Sequence, residues 1–464
     1  MSLKPLKINI LPDSPSLVKL IGPSFIILGL GLGSGEIILW PYLTSNYGMG
    51  IIWGALLGLT FQFFMNMEIE RYALAHGESV FVGLARKIRW ISFWFLLSTF
   101  IPWVWPGIIA SSAKLFGTVL GFGETKYLAI IFLIIIGLIL SLGPILYKTV
   151  ETLQKTLILI AVPSIFILSI VLANQTHWMD LFKGSIGIGD NYNFLPAGIS
   201  IASFLAALAY AGAGGNLNLA QAFYIKEKGY GMGKYSGRIT SVLTGKKEEI
   251  SLEGTKFEIT HQNLSNFKRW WRNINIEHFI IFWLTGSITI ALLGLLAYTT
   301  TYGLGGNSAG IGFVLQEGRI IGERIFPFAG IFFLLVAGST LFGTQLTVFD
   351  ATSRILSENL ILSAPSRLSE KQIPTIYYVV LWLQILGGIT IFLLGFSEPL
   401  QLLIIAAVLN AFAMFIHVGL TLWLNLTSLE KILRPTFFRI TMMLLAFFFY
   451  GSFSLYVLYD RFFR

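Results

Sequence analysis

The stretch "LGLGSGEIILWP" (residues 30–41) sets one carboxylate, Glu36, inside an apolar run and interrupts that run with Gly33, Ser34 and Gly35. Apolar runs of this kind recur along all 464 residues, of which 55% are hydrophobic and only 12% charged. A soluble chain carries about 25% charged residues. The pattern is that of an all-α polytopic membrane protein. Eleven spans are expected, near 18–46, 49–73, 90–119, 126–147, 150–174, 194–224, 276–301, 320–353, 373–396, 399–424 and 435–459. The first 17 residues are polar and contain Pro5, Pro12 and Pro15, so no cleavable signal peptide is expected. With no Cys, disulfides and thiolate sites are excluded.

The net charge of +9 follows from topology rather than from nucleic-acid binding. Of the 32 Lys and Arg, only Lys114, Lys126, Lys183, Arg319, Arg324, Arg461 and Arg464 fall opposite the N-terminal side. Positively charged loops stay inside. The N-terminus is therefore expected in the cytoplasm and, after eleven spans, the C-terminus outside, in a cell-membrane protein surrounded by lipid. The tail is 1–17, and 225–275 is a cytoplasmic insertion. Within it, "RITSVLTGKKEEISLEGTKFEIT" alternates and suggests a β-hairpin turning at "GKKE" or "EGT". "KRWWR" (Lys268 to Arg272) anchors the start of span seven at the interface.

A second interruption, "YAGAGGNLN" (residues 210–218), breaks span six. Glycine weakens a helix, and in lipid the freed backbone groups survive only where they line a protein cavity. Spans one and six open two five-helix halves, 18–174 and 194–424, and 435–464 adds an eleventh span. Paired breaks at corresponding places mark a transporter site at the bilayer midplane. The expected architecture is a LeuT-type fold, a 5+5 inverted repeat plus one helix, with spans one and six broken.

"LIGPSFIILGLGLGSGEIIL" and "GAGGNLNLAQAF" resemble the first and sixth spans of the natural-resistance-associated macrophage protein (NRAMP) family of proton-coupled divalent metal transporters. The resemblance covers spans one to ten by order and spacing. It implies substrate binding at Gly33, Ser34, Gly35 and Glu36, where the family has Asp-Pro-Gly-Asn. It implies the same for Ala213, Gly214, Gly215 and Asn216, where the family has Met-Pro-His-Asn. Gln62 stands where span two of the family is polar. The charged ligand, the thioether and the histidine are thus replaced. A thioether helps select softer transition metals, so a classical Mn²⁺ or Fe²⁺ site is not supported. The glycines are expected to leave room for a different cargo, either a hard, partly hydrated cation such as Mg²⁺ or a small organic solute.

Glu36 is read as a cation ligand or a proton carrier, since a carboxylate at the bilayer centre costs roughly 2.5–3.5 kcal/mol. The alternative is a neutral carboxyl bonded to backbone. Asn216, Gln62 and Asn410 are placed in the site; Gln62 and Asn66 either line the pathway or hydrogen-bond between helices, and Asn218 is read as an interhelical hydrogen-bonding group. Glu36 and Asn216 are the metal candidates. Asp350 and Arg354, four apart, form an ion pair that is a gate or merely structural. Asn410 and His417 point to opposite ends of a seam, and His417 is a proton relay or packing. Glu68, Glu70 and Arg71 are expected in one interfacial network. No HExxH, nucleophile elbow or Walker loop is present, so neither an enzyme nor an ATP-driven pump is expected. The chain reads as a monomeric secondary transporter, a symporter without cofactor or nucleic-acid partner. A channel or a membrane sensor is the alternative.

Overall fold

The computed structural model describes residues 3–241, 243–245, 248–304 and 311–463. Arg464 and the two lysines of the "GKKE" turn, Lys246 and Lys247, lie outside the described residues. Ten helices among those described are long and apolar enough to cross a membrane. They are α1 (Pro23–Tyr47), α2 (Met49–His76), α3 (Ile91–Leu120), α4 (Thr125–Leu142) and α5 (Leu146–Leu172), then α7 (His261–Thr301), α8 (Pro327–Ser363), α9 (Glu370–Leu393), α10 (Pro399–Ser428) and α11 (Phe437–Asp460). Expected span six is the broken one. It consists of α6a (Ile201–Ala209), an irregular stretch, a 3₁₀ turn (Gly215–Ala220) and α6b (Gln221–Lys228). The molecule is an all-helical, multi-pass membrane protein.

Sequence chemistry sets the helix starts. Pro23, Pro327, Pro374 and Pro399 occupy the first turns of α1, α8, α9 and α10, where a missing N–H costs nothing. Burial then sorts the spans. The apolar stretch of α1 is 94% buried, against 28% in α5 and α11, whose Ile167 and Phe448 face outward. Span one is therefore the hub, and the outer helices present apolar side chains to lipid.

Two span starts and the form of span one differ from expectation. Span seven begins at His261 rather than 276, because the amphipathic segment holding "KRWWR" continues the helix. Span eight begins at Pro327, and residues 320–324 belong to a separate helix, Gly312–Arg324. Span one is not unwound: Leu32–Leu39 form a π-helix, so the glycines widen the helix without parting it.

The expected hairpin is also absent among the described residues. Its sequence instead pairs elsewhere. β1 (Lys7–Ile8) runs parallel to β2 (Thr255–Lys256), and Thr240 bridges Ile145. The N-terminal tail lies along this insertion and α7. Trp270 Nε1 donates to Pro12 O at 2.7 Å, Asn273 Nδ2 to Ser14 Oγ at 3.2 Å, and Tyr230 Oη to Leu20 O. Burial pushes the Tyr230 hydroxyl well above the usual tyrosine range, so it stays protonated and stays a donor. Trp270→Phe removes one of these bonds, worth about 1 kcal/mol. Limited proteolysis should then cut the tail faster than in the wild type while the spans stay intact.

Candidate functional site

The irregular stretch of span six lies between Ala209 and Gly215, with Gly214 and Gly215 at φ 74° and 55°, values that favour glycine. Its freed backbone groups are met by side chains from other spans. Gln62 on α2 bridges the gap: its Nε2 donates to Ala209 O at 3.0 Å, and its Oε1 accepts from Gly214 N at 3.3 Å and Asn218 Nδ2 at 3.0 Å. On α10, His417 Nε2 meets Gly215 O at 3.0 Å, and Asn410 Nδ2 donates to Tyr210 Oη at 2.9 Å. Asn410 and His417 therefore converge on the break rather than pointing to opposite ends of a seam. Two helical turns bring both to the same face of α10.

The glycines do not leave room, contrary to expectation. A Cβ on Gly31 would sit 2.7 Å from Gly212 Cα, and one on Gly35 would overlap the Tyr210 carbonyl. Gly33 is covered by the Thr344 side chain and Gly215 by Asn410, and Gly214 packs on Tyr210. These residues let α1 and the irregular stretch touch backbone to backbone. Thr344 Oγ1 also donates to Gly29 O at 2.7 Å, just before the π segment. Ala213 is buried within the same layer.

The structure splits the expected site residues. Glu36 turns toward α7, where its Oε1 lies 3.7 Å from the space a Cβ on Gly286 would take, beside Leu28 and Leu59. Asn216 turns toward α3, donating to Ser98 Oγ at 2.8 Å and Thr99 Oγ1 at 2.9 Å. Ser34 is buried in the π segment between them. Glu36 and Asn216 are thus not brought onto one ligand-sized face. Among the described residues, no group of three His, Cys, Asp or Glu is placed to hold a metal.

Several buried atoms here have no protein partner: both oxygens of Glu36, Oδ1 of Asn216, Asn218 and Asn410, and Nδ1 of His417. With His417 Nε2 donating to a carbonyl, its Nδ1 is an acceptor, as are the three amide oxygens and, when ionised, Glu36. Each uncompensated polar group costs about 1–3 kcal/mol.

The Asp350–Arg354 pair is present at 2.9 Å and is fully buried. Tyr377 Oη donates to Asp350 at 2.8 Å, Tyr224 Oη at 3.3 Å, and Arg354 also pairs with Glu227. Arg354 thereby ties α8 to α6b, and Asp350 ties it to α9 through Tyr377. Beside it a cavity of about 30 Å³, lined in part by Lys226, Glu227 and Arg354, has room for one water. Glu68, Arg71 and Arg439 form a separate ionic cluster. Glu70 leaves it, accepting from Gln221 Nε2 at 2.6 Å and lying 3.5 Å from His278 Nδ1. A carboxylate at position 70 is two residues from Glu68, so a helix points it elsewhere.

Sequence reasoning missed Glu277, His278 and Tyr210. The signal for the first two was an adjacent acid and imidazole directly before the apolar run "FIIFWL".

No protein-family model and no curated protein matches the chain. Solved structures do. A histidine-to-alanine variant of the Eremococcus coleocola manganese transporter aligns over 98% of this chain and 89% of its own, with a TM-score of 0.71 at 13% identity. The same transporter in complex with an aromatic bis-isothiourea substituted compound gives 0.68 at 13% identity, over 98% of this chain and 89% of that one. The fold is LeuT-like. Mhp1, a nucleobase-cation-symport-1 family transporter solved in a closed conformation with bromovinylhydantoin bound, aligns at 0.52 and 13% identity over 98% and 95% of the two chains.

Two outcomes check the packing. Gly35→Ala should cost about 3 kcal/mol or more, because backbone must move; Gly123→Ala, with nothing within 4 Å, should be near neutral. Thermal unfolding of the purified proteins reads the difference. Arg354→Met should lower yield sharply, since it strands Asp350 and Glu227 at a cost of about 3–5 kcal/mol. Adding Asp350→Asn and Glu227→Gln should restore it.

Proposed function

We propose that the chain is a secondary active transporter, NRAMP-related in frame, that moves a small solute or cation by alternating access. The observation that supports this is the run of unpaired acceptors along the irregular part of span six and on Glu36. Such a set is completed by donors or positive charge: a hard cation keeping part of its water, or an amine-bearing organic solute. The manganese transporter supplies the comparison of frame only. Here Gly33 and Ala213 replace its family's Asp and Met. Substrate would engage Asn216 of the 3₁₀ turn and Asn410 of α10, flanked by Gly33, Ser34, Gly35 and Gly215, with Gln62 holding the shape of the irregular stretch. Glu36, one face away, would serve the coupled ion or proton. Asp350 and Arg354 would close the end of the bundle that carries the N-terminal tail.

On this reading residues 18–174 and 194–424 are the two inverted halves, 225–275 is cytoplasmic, and 435–464 carries the C-terminus to the outside of the cell membrane. The chain acts as a monomer, with no cofactor.

The test is flux into proteoliposomes, with calorimetry on the purified protein. Mn²⁺, Mg²⁺ and small amines are compared on wild type and Glu36→Gln. The expected result is transport of a hard cation or amine, with flux reduced at least about tenfold in the variant, the effect of about 1.4 kcal/mol. Strong Mn²⁺ transport would overturn the substrate assignment. Unchanged flux in the variant would remove Glu36 from the mechanism.

A further inference from the structure

His278 lies at the centre of a buried hydrogen-bond chain that the proposed transport site does not use. Its ring is stacked on Phe282 at 4.8 Å and on Phe63 at 5.7 Å, and the residue is fully buried. Nδ1 lies 2.7 Å from Ser24 Oγ on α1, and Ser24 in turn donates to Glu277. Nε2 lies 3.3 Å from Asn66 Nδ2 on α2. Asn66 Oδ1 accepts from Asn218 Nδ2 at 2.8 Å, and Asn218 Nδ2 also donates to Gln62 Oε1.

The partners fix every orientation. Gln62 cannot turn over, because its Oε1 accepts from the Gly214 N–H and its Nε2 donates to a carbonyl. Asn218 must therefore present its NH₂ to Gln62 and to Asn66. Asn66 must then present its own NH₂ to His278. So Nε2 is an acceptor, and the ring hydrogen sits on Nδ1, donating to Ser24.

A second proton on this ring lands on Nε2 and faces the NH₂ of Asn66. Asn66 can answer only by turning over, which puts its NH₂ against that of Asn218. Asn218 can turn over as well, and its unpaired Oδ1 is available to accept. The last link then fails. Asn218 Oδ1 would face Gln62 Oε1, and Gln62 loses the donor that helps hold it across the break.

We propose that His278, with Glu277 and Glu70, is a proton-binding site whose occupancy is transmitted through Asn66 and Asn218 to the Gln62 bridge across span six. The proton adds to Nε2, and no other covalent bond changes. The titratable groups around the ring and its carboxyl neighbours come from several elements. From α2 comes Glu70, and from α7 Glu277. Arg439 of α11 opposes the proton but is held by Glu68. Lys228 of α6b and Lys155 of α5 are both paired with Glu151. From α1 the neighbour is the neutral Ser24. Glu70, 3.5 Å from Nδ1, is the carboxyl placed to offset an imidazolium, and Glu277 reaches the ring through Ser24.

The inference rests on the transport reading only for its purpose, since the linkage is measured without flux. The measurement is amide hydrogen exchange of residues 210–220 by mass spectrometry, corrected for intrinsic pH dependence, on full-length protein in nanodiscs from about pH 8 down to about pH 3, a window that includes a buried as well as a free imidazole. In the wild type, corrected exchange should rise about tenfold as pH falls, which is what a one-unit difference in proton affinity between the two states requires. His278→Asn and Asn66→Leu should each lose that rise. Ser24→Ala, a milder change, should keep the rise with a displaced midpoint, and it decides the matter if the other two do not fold. A flat wild-type profile overturns the proposal, as do an unchanged rise in His278→Asn or Asn66→Leu, or an unmoved midpoint in Ser24→Ala. Liposome flux separates the two readings. No flux with the exchange linkage intact defeats the transport assignment alone. Flux with no linkage defeats this proposal alone.

Discussion

One glutamine amide holds the centre of this protein together. A helix opened inside a bilayer leaves donors and acceptors that no water can reach. Gln62 meets the problem from a neighbouring helix, with a donor for Ala209 and an acceptor for Gly214. The rest of the layer follows from that. Because the segment is held open, Gly31 and Gly35 of span one can press against Gly212 and Tyr210. Because it is held near α10, Asn410 and His417 reach the same stretch from the other side.

Opened backbone and unpaired side-chain acceptors occur in the same place, and neither is incidental to the other. A continuous helix would have consumed its own carbonyls. Here the irregular stretch turns Asn216 and Asn218 outward to different neighbours, and each satisfies its NH₂ and leaves its oxygen. The ionic groups sit further along, at the end near the tail, where the Asp350–Arg354 pair joins three helices. The polar interior is thus graded. Neutral amides lie around the break and full charges lie beyond it, which is where desolvation is offset by pairing.

The spans and the break in span six were legible in the sequence, because hydropathy and glycine act locally. The form of the first interruption was not. "GLGSGE" is compatible with an unwound gap or with a π-helix, and only the tight fit against Tyr210 and Thr344 selects the second. The glycines were misread as space because a missing side chain says nothing about what fills the gap. His278 and Glu277 were hidden for another reason. Their sequence position reads as an interfacial helix start, and α7 begins at His261, which carries them a full four turns into the helix. Asn410 and His417 were correctly picked as polar residues inside a span, but their shared target depends on the register of α10 against span six.

The parallel pairing of the N-terminal tail with the insertion joins two distant parts of the chain. The tail leads straight into span one, and the insertion leaves from α6b and enters α7. Tyr230 bonds the one to the other directly below the two interrupted spans. Spans one and six are thus yoked at one end by a short rigid tie, while at mid-height they meet through bare glycine backbone, which offers little friction. The same two spans are therefore connected at two heights, by a polar tie at the tail end and by bare backbone contact in the middle.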